Sequence, residues 1–401
     1  MNAVYEYIAA ITIFSLIIGF SLISVSTLSS TQLKVMYGEQ LRPVAEKLLD
    51  KILLTTGSPE DWGTNIYVND SSIKDIGLSL GSGEMYDLDV EKVQRFLSDS
   101  PLPISNITFG KLTGIYDDKG WKYGFHLRIV SALFIENLTT PFKTGTLFKF
   151  KVKTYKGDPA PNAIVTAFYL KIGILQDGSD YYFDFSSAIL ENITNWNGET
   201  EFNFAGNIPE LPSSEKSKIY LEKNCLIVTA KYYGLQSQNI WFESQDEVLT
   251  MVAIGQYLLV NFNKADVPPF ARHVAPGQKA AFCITTNLEP VVVTFEEVKQ
   301  NEADYVINSG KKYSNVYRLS QPLSQEFMFV GLVVKGATTQ QDGEKTRFYL
   351  VFAYRPRVPL ALEYSSAFYP SAGIKTETVE KFVRIASNSY HVELTLWRMS
   401  E

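Results

Sequence analysis

Residues 8–28, IAAITIFSLIIGFSLISVSTL, carry no charged side chain. As a helix, about 21 residues rise roughly 30 Å, the thickness of a bilayer's hydrocarbon. The run is long for a signal peptide and no basic stretch precedes it, so the pattern predicts a retained membrane helix. In the following QLKVMYGEQLRPVAEKLLDKILLTTG, Leu41, Val44, Leu48 and Ile52 recur at steps of three and four, and Leu49 and Leu53 widen the stripe. Gly57 reads as a stop and Pro43 as a kink near Leu41. The expectation is a long helix over 1–57, which either packs on its own domain or enters a bundle made by neighbouring subunits.

The period then falls from helical to two. Residues 58–144 read as a small α/β region. It holds a short helix in VEKVQRFLSDSPLP capped by Asp87 or Asp89, and a hairpin in KLTGIYDDKGWKYGFHLRIVSALFI that turns at Asp117–Gly120. From 145 to 262, TLFKFKVKTY, AIVTAFYLKIGI, YYFDFSSAIL, TEFNFAG, CLIVTAKYYG, SQNIWFES and LTMVAIGQYLLVNFN alternate with turn clusters, the pattern of an antiparallel β-sandwich. Residues 263–401 add a second β-rich domain that closes in a hairpin with Asn388–Ser389 at its turn. The fold class expected is α+β and mainly β: a long N-terminal hydrophobic helix, a small α/β region, then antiparallel β-sandwich domains.

Composition supports a folded body. Of 401 residues, 45% are hydrophobic, 20% charged and 13% aromatic, a balance that favours strands over disorder. The net charge of −6 without basic runs gives nucleic acid no footing. Lys34, Arg42 and Lys47 after the apolar run point the body toward the cytoplasm by the positive-inside rule. The N-x-[ST] sequons at Asn69, Asn106, Asn137 and Asn192 point the other way, and with the aromatic β body they favour an outside location.

Candidate chemistry is sparse. Gly77-Leu78-Ser79-Leu80-Gly81 matches G-x-S-x-G, but more turn residues follow at once and no β/α alternation surrounds it. Asp177, Asp180 and Asp184 could offer oxygens to calcium, yet their spacing is not that of an EF-hand, and a solvated turn is the simpler reading. His126, His273 and His391 are isolated, and no phosphate loop or CxxC pair occurs. Cys225 and Cys283 sit in strand-like runs, either as buried thiols or as one disulfide. No enzyme activity and no cofactor is implied.

Two resemblances add to this. YKGDPAPNAIVTAFYL followed by NGETEFNFAG resembles an immunoglobulin-like or transthyretin-like module of extracellular proteins. Asn2-Ala3-Val4-Tyr5-Glu6-Tyr7 followed by IAAITIFSLIIGFSL resembles the N-terminal core of archaeal type IV pilin-like proteins, as do EKLLDKILLTTGSPEDWG, MYDLDVEKVQRFL, WKYGFHLRI and the closing VELTLWRM. In that family a glutamate five residues from the processed N-terminus precedes the apolar helix, and Glu6 takes that place if the mature chain begins at Asn2; the usual basic leader is absent. The resemblance implies contacts between copies through Glu6, Tyr7, Ile11, Phe14, Ile18 and Leu22, with Glu6 meeting a neighbour's terminal amine. It implies a structural surface protein, held in a membrane or polymerised into a filament, with β domains outward toward surface glycans or neighbouring cells. The other reading is a membrane-anchored adhesion or ligand-binding protein that does not polymerise.

Overall fold

A computed structural model describes residues 14–21, 41–98, 100–139, 146–177, 180–208, 210–211, 218–243, 249–262, 280–285, 288–298, 315–320, 323, 327–340, 343–354, 361–366, 370 and 374–399. The chain is mainly β, in several sheets. The long apolar N-terminal helix is not found: among the described residues no helix is long and apolar enough to cross a membrane. Two helical stretches lie in that region, at 14–21 and at 41–54. The second, α1, is amphipathic. Its stripe of Leu41, Ala45, Leu48, Leu49, Ile52 and Leu53 is buried in the chain's own first core, so this face is spent inside the subunit.

That first core belongs to a base built from both ends of the described chain. Its sheet runs β1 (Asp87–Leu88), β20 (Thr376–Ile385), β21 (Asn388–Arg398), β4 (Tyr123–Ser131) and β19 (Ala361–Ser365). One face alternates inward through Phe125, Leu127 and Ile129 on β4 and Val392, Leu394 and Leu396 on β21, against α1 and Trp62. Two short helices, α2 (Val90–Gln94) and α3 (Asn106–Thr113), and a small hairpin, β2 (Tyr116–Asp117) with β3 (Gly120–Trp121), complete it. The closing hairpin, grouped by sequence with 263–401, therefore shares a sheet with β4. Its turn is Ala386–Ser387, both at positive φ, so Asn388 opens the returning strand instead of forming the turn. Residues 106–113, read partly as hairpin, form α3 because Ser105 caps its start and Gly114, at φ 78°, ends it.

The middle of the chain makes a β-sandwich. One sheet holds β5 (Leu133–Asn137), β6 (Leu147–Thr154) and β9 (Glu199–Asn203). The other runs β11 (Leu235–Phe242), β10 (Lys218–Tyr232), β7 (Ile164–Asp177) and β8 (Asp180–Ile193). Between them Phe148, Phe150 and Phe202 meet Val165, Ala167, Tyr169, Leu226 and Val228.

The remaining strands form one seven-stranded sheet: β12 (Leu249–Ile254), β13 (Tyr257–Phe262), β16 (Asn315–Leu319), β15 (Pro290–Glu297), β14 (Ala280–Thr285), β17 (Phe327–Gln340) and β18 (Gly343–Tyr354). Its end strands β12 and β18 approach each other, so the sheet curls around its own core of Leu258, Val260, Ala281, Cys283 and Phe295. LTMVAIGQYLLVNFN is split into β12 and β13 by a turn at Gly255–Gln256. There the Gly255 N–H donates to Glu91 Oε1 at 3.2 Å, and a Cβ would stand 2.5 Å from the Thr64 carbonyl oxygen, so the curled sheet sits tightly on the base.

Along residues 167–174 of β7 the β7–β10 sheet is covered on both faces. Val165, Ala167 and Tyr169 point into the sandwich, while Phe168, Leu170, Ile172 and Ile174 pack on Phe282 and Ile284 of β14. This explains why AIVTAFYLKIGI is nearly continuous in apolar residues, as expected of a strand covered on two sides.

Candidate assembly site

Of the residues implied in contacts between copies, Phe14 and Ile18 lie in the helix at 14–21, whereas Glu6, Tyr7, Ile11 and Leu22 lie outside the described residues. The helix carries five apolar side chains over most of its circumference, with Ser15 and Gly19 on the remaining side. Phe14 is 66% exposed and Phe20 70%, with Leu16, Ile17 and Ile18 also exposed. A Cβ on Gly19 would meet no atom within 4 Å. Five exposed apolar side chains on two turns of helix call for cover, and the described residues of the chain leave all five exposed. Burying these five side chains releases on the order of 5–10 kcal/mol.

The base is held in part by buried charges. In α2, VEKVQ, Asp89 caps the start by accepting from the Glu91 N–H at 2.9 Å, and all five residues are buried. Arg95, at the helix end and 1% exposed, donates to the carbonyls of Leu102 at 2.9 Å, Val68 at 2.7 Å and Trp62. Its guanidinium also lies over the Trp62 ring at 5.6 Å. Burial pulls its pKa down to about 10, and Asp70 partly opposes this. Lys92, also buried, donates to the Ser79 carbonyl at 3.1 Å; burial lowers its pKa, with Asp89, Glu60 and Asp61 acting against the shift. Only the run of charged residues beside a capping Asp was visible in sequence, and charge ordinarily signals a solvated face.

The remaining candidates separate in space. Ser79 bridges to Leu88, and its Oγ accepts from the Gly81 N–H at 3.2 Å, so G-x-S-x-G here is a turn. His391 is buried on β21 with Nε2 2.9 Å from Glu380, and its ring stacks on Tyr155 at 4.0 Å. His126 stands on β4 opposite Thr395, and His273 lies outside the described residues. Asp177 and Asp180 face each other across the β7–β8 turn, with Asp184 farther along β8. Among the described residues no group of His, Cys, Asp or Glu is arranged to hold a metal ion.

The disulfide alternative is corrected. Cys225 and Cys283 are both buried thiols. Cys225 packs with Phe282 and Ile284, whereas Cys283, between those two on β14, points through the sheet into the other core. Burial pushes the Cys225 thiol well above its ordinary pKa.

The sequons differ in availability. Asn69 is exposed, and its side chain caps a short turn by accepting from the Ser72 N–H. Asn106 is half-buried at the start of α3. Asn137 has its Nδ2 buried. Asn192 is exposed on β8, where its Nδ2 donates to the Glu201 carbonyl at 3.1 Å.

Compared with known proteins, the chain matches no family model and no curated protein.

Proposed function

We propose that this chain is a structural surface protein whose copies join through their apolar N-terminal segments and carry the β lobes outward. The observation that supports this reading is the helix at 14–21, whose Phe14, Leu16, Ile17, Ile18 and Phe20 are left exposed by the described residues of its own chain. Equivalent segments of further copies are the cover proposed, because a bundle of such helices buries the wide apolar face of each one. The resemblance of the N-terminal run to archaeal type IV pilin-like proteins leads to the same proposal.

The experiment compares the full chain with Ile18→Asp and Phe14→Asp by electron microscopy and sedimentation. Both side chains are exposed, so the variants keep the fold while placing a charge in the apolar contact. Ordered assemblies of the parent chain that disappear in the variants support the reading; assemblies that persist unchanged, or a parent chain that stays monomeric, refute it.

A second reading, a membrane-held adhesion protein, draws on the sandwich of β5 to β11. Its strand distribution over two sheets follows an immunoglobulin-like plan with the fourth strand moved to the larger sheet. In this reading the parent chain disperses as monomers in detergent and still binds its surface ligand.

A further inference from the structure

The sandwich's larger sheet has two edges that are treated differently. At the β11 edge, Ser237 Oγ accepts from the Leu133 N–H at 3.1 Å and Asn239 Nδ2 donates to the Ile135 carbonyl at 3.1 Å, so β5 covers it. At the opposite edge no described strand pairs with the outer side of β8, a strand 14 residues long. Exposed edges are normally shielded by charged side chains, lysine above all, by proline or by shortness, and between residues 185 and 193 the one charge on β8 is Glu191. β8, DYYFDFSSAILENI, contains neither lysine nor proline.

Its hydrogen-bonding parity can be read from its ends. Thr194 donates to the Ala163 carbonyl and accepts from the Asn162 N–H, so even-numbered residues face β7. Odd-numbered residues therefore turn their N–H and C=O outward. Two of those N–H groups fall back on the preceding side chain: Phe185 donates to Asp184 Oδ1 at 3.0 Å, and Ile193 to Asn192 Oδ1 at 2.8 Å. Ile189 and Ile193, 57% and 58% exposed, lie on one face with Ile164 of β7.

We propose that β8 is a docking edge for a second copy of this chain, paired antiparallel about a two-fold axis at Ile189. The occupant follows from self-complementarity. With that axis Ile189 opposes its own copy, Ser187 opposes Glu191, and Phe185 opposes Ile193. On the other face Leu190 opposes Ala188 and Asn192 opposes Ser186. No like charges meet between residues 185 and 193, and the outward N–H and C=O groups of the odd positions exchange across the axis. The two larger sheets become one continuous sheet through both subunits. This contact is independent of the apolar segment at 14–21.

Cysteine placement in the full chain tests it. The opposed Cα atoms of a hydrogen-bonded antiparallel pair stand about 5.5 Å apart, within disulfide range. Ile189→Cys is expected to give a covalent dimer on mild oxidation, against a parent chain whose two thiols are buried. Ser187→Cys alone places its two copies about 14 Å apart and is expected to give none. A mixture of Ser187→Cys and Glu191→Cys chains is expected to give the heterodimer. The crosslink pattern is the readout, so association through residues 14–21 does not imitate it. Equal crosslinking at 187 and 189, or no dimer at 189, overturns the proposal, whether water or another protein's strand occupies the edge.

Discussion

Replacing Arg95 with methionine keeps much of the aliphatic volume and removes the guanidinium that ties three loop carbonyls together. Those carbonyls belong to Trp62, Val68 and Leu102. A hydrogen bond from a charged donor is worth about 1.5–3 kcal/mol, so three give roughly 5–9 kcal/mol gross. Holding the charge away from water opposes this. The fall in pKa from 12.5 to about 10 corresponds to roughly 3 kcal/mol. The net loss is about 2–6 kcal/mol, and its lower half, about 3 kcal/mol, is already on the order of 100-fold in a local opening equilibrium. Hydrogen exchange read by mass spectrometry over residues 62–70 and 100–105 measures that opening directly. Arg95→Met is expected to lower protection there by about that factor, with β7 and β10 unchanged. Arg95→Lys retains charge but reaches fewer carbonyls, and falls between. Protection within about threefold of the parent in Arg95→Met, under 1 kcal/mol, refutes the clasp.

Three other outcomes follow from burial. Cys225 and Cys283 are expected to resist alkylation in the native chain and to label as two thiols after unfolding without reductant, whereas a disulfide leaves none to label. Phe282→Ala opens a cavity where β14 packs on the β7–β10 sheet, and should cost about 3–5 kcal/mol in a denaturant titration; a loss under 1 kcal/mol would show that this contact is not a packed core. Mass mapping of the native protein should find no glycan on Asn137, whose Nδ2 is buried, even where Asn69 is occupied.

The strands of the middle region were legible because their apolar residues alternate or run together, and β7 and β10 do so for a stated reason: each has two packed faces. Turn residues were less informative. Asn388 was the obvious turn former at the closing hairpin, yet Ala386 and Ser387 take positive φ while Asn388 Nδ2 reaches back to the Ala386 carbonyl at 3.4 Å. The pairing of that hairpin with β4, some 260 residues earlier, could not be read from local pattern because a polar outer face and an apolar inner face suit many partners. Glu91, Lys92 and Arg95 were illegible in a stricter sense: their burial depends on carbonyls and an N–H brought from distant loops. The stripe of α1 was correctly seen as apolar, but period alone does not say whether a core or a neighbouring subunit receives it, and here it is the core.

The proposed assembly joins copies of this chain through the apolar N-terminal segment and not through the base helix α1. Sedimentation of the full chain after detergent removal, set beside Ile18→Asp at equal concentration, tests it most directly. Large ordered particles are expected for the parent and small species for the variant, with the same β-rich circular dichroism in both. Identical particle sizes for the two chains would contradict it.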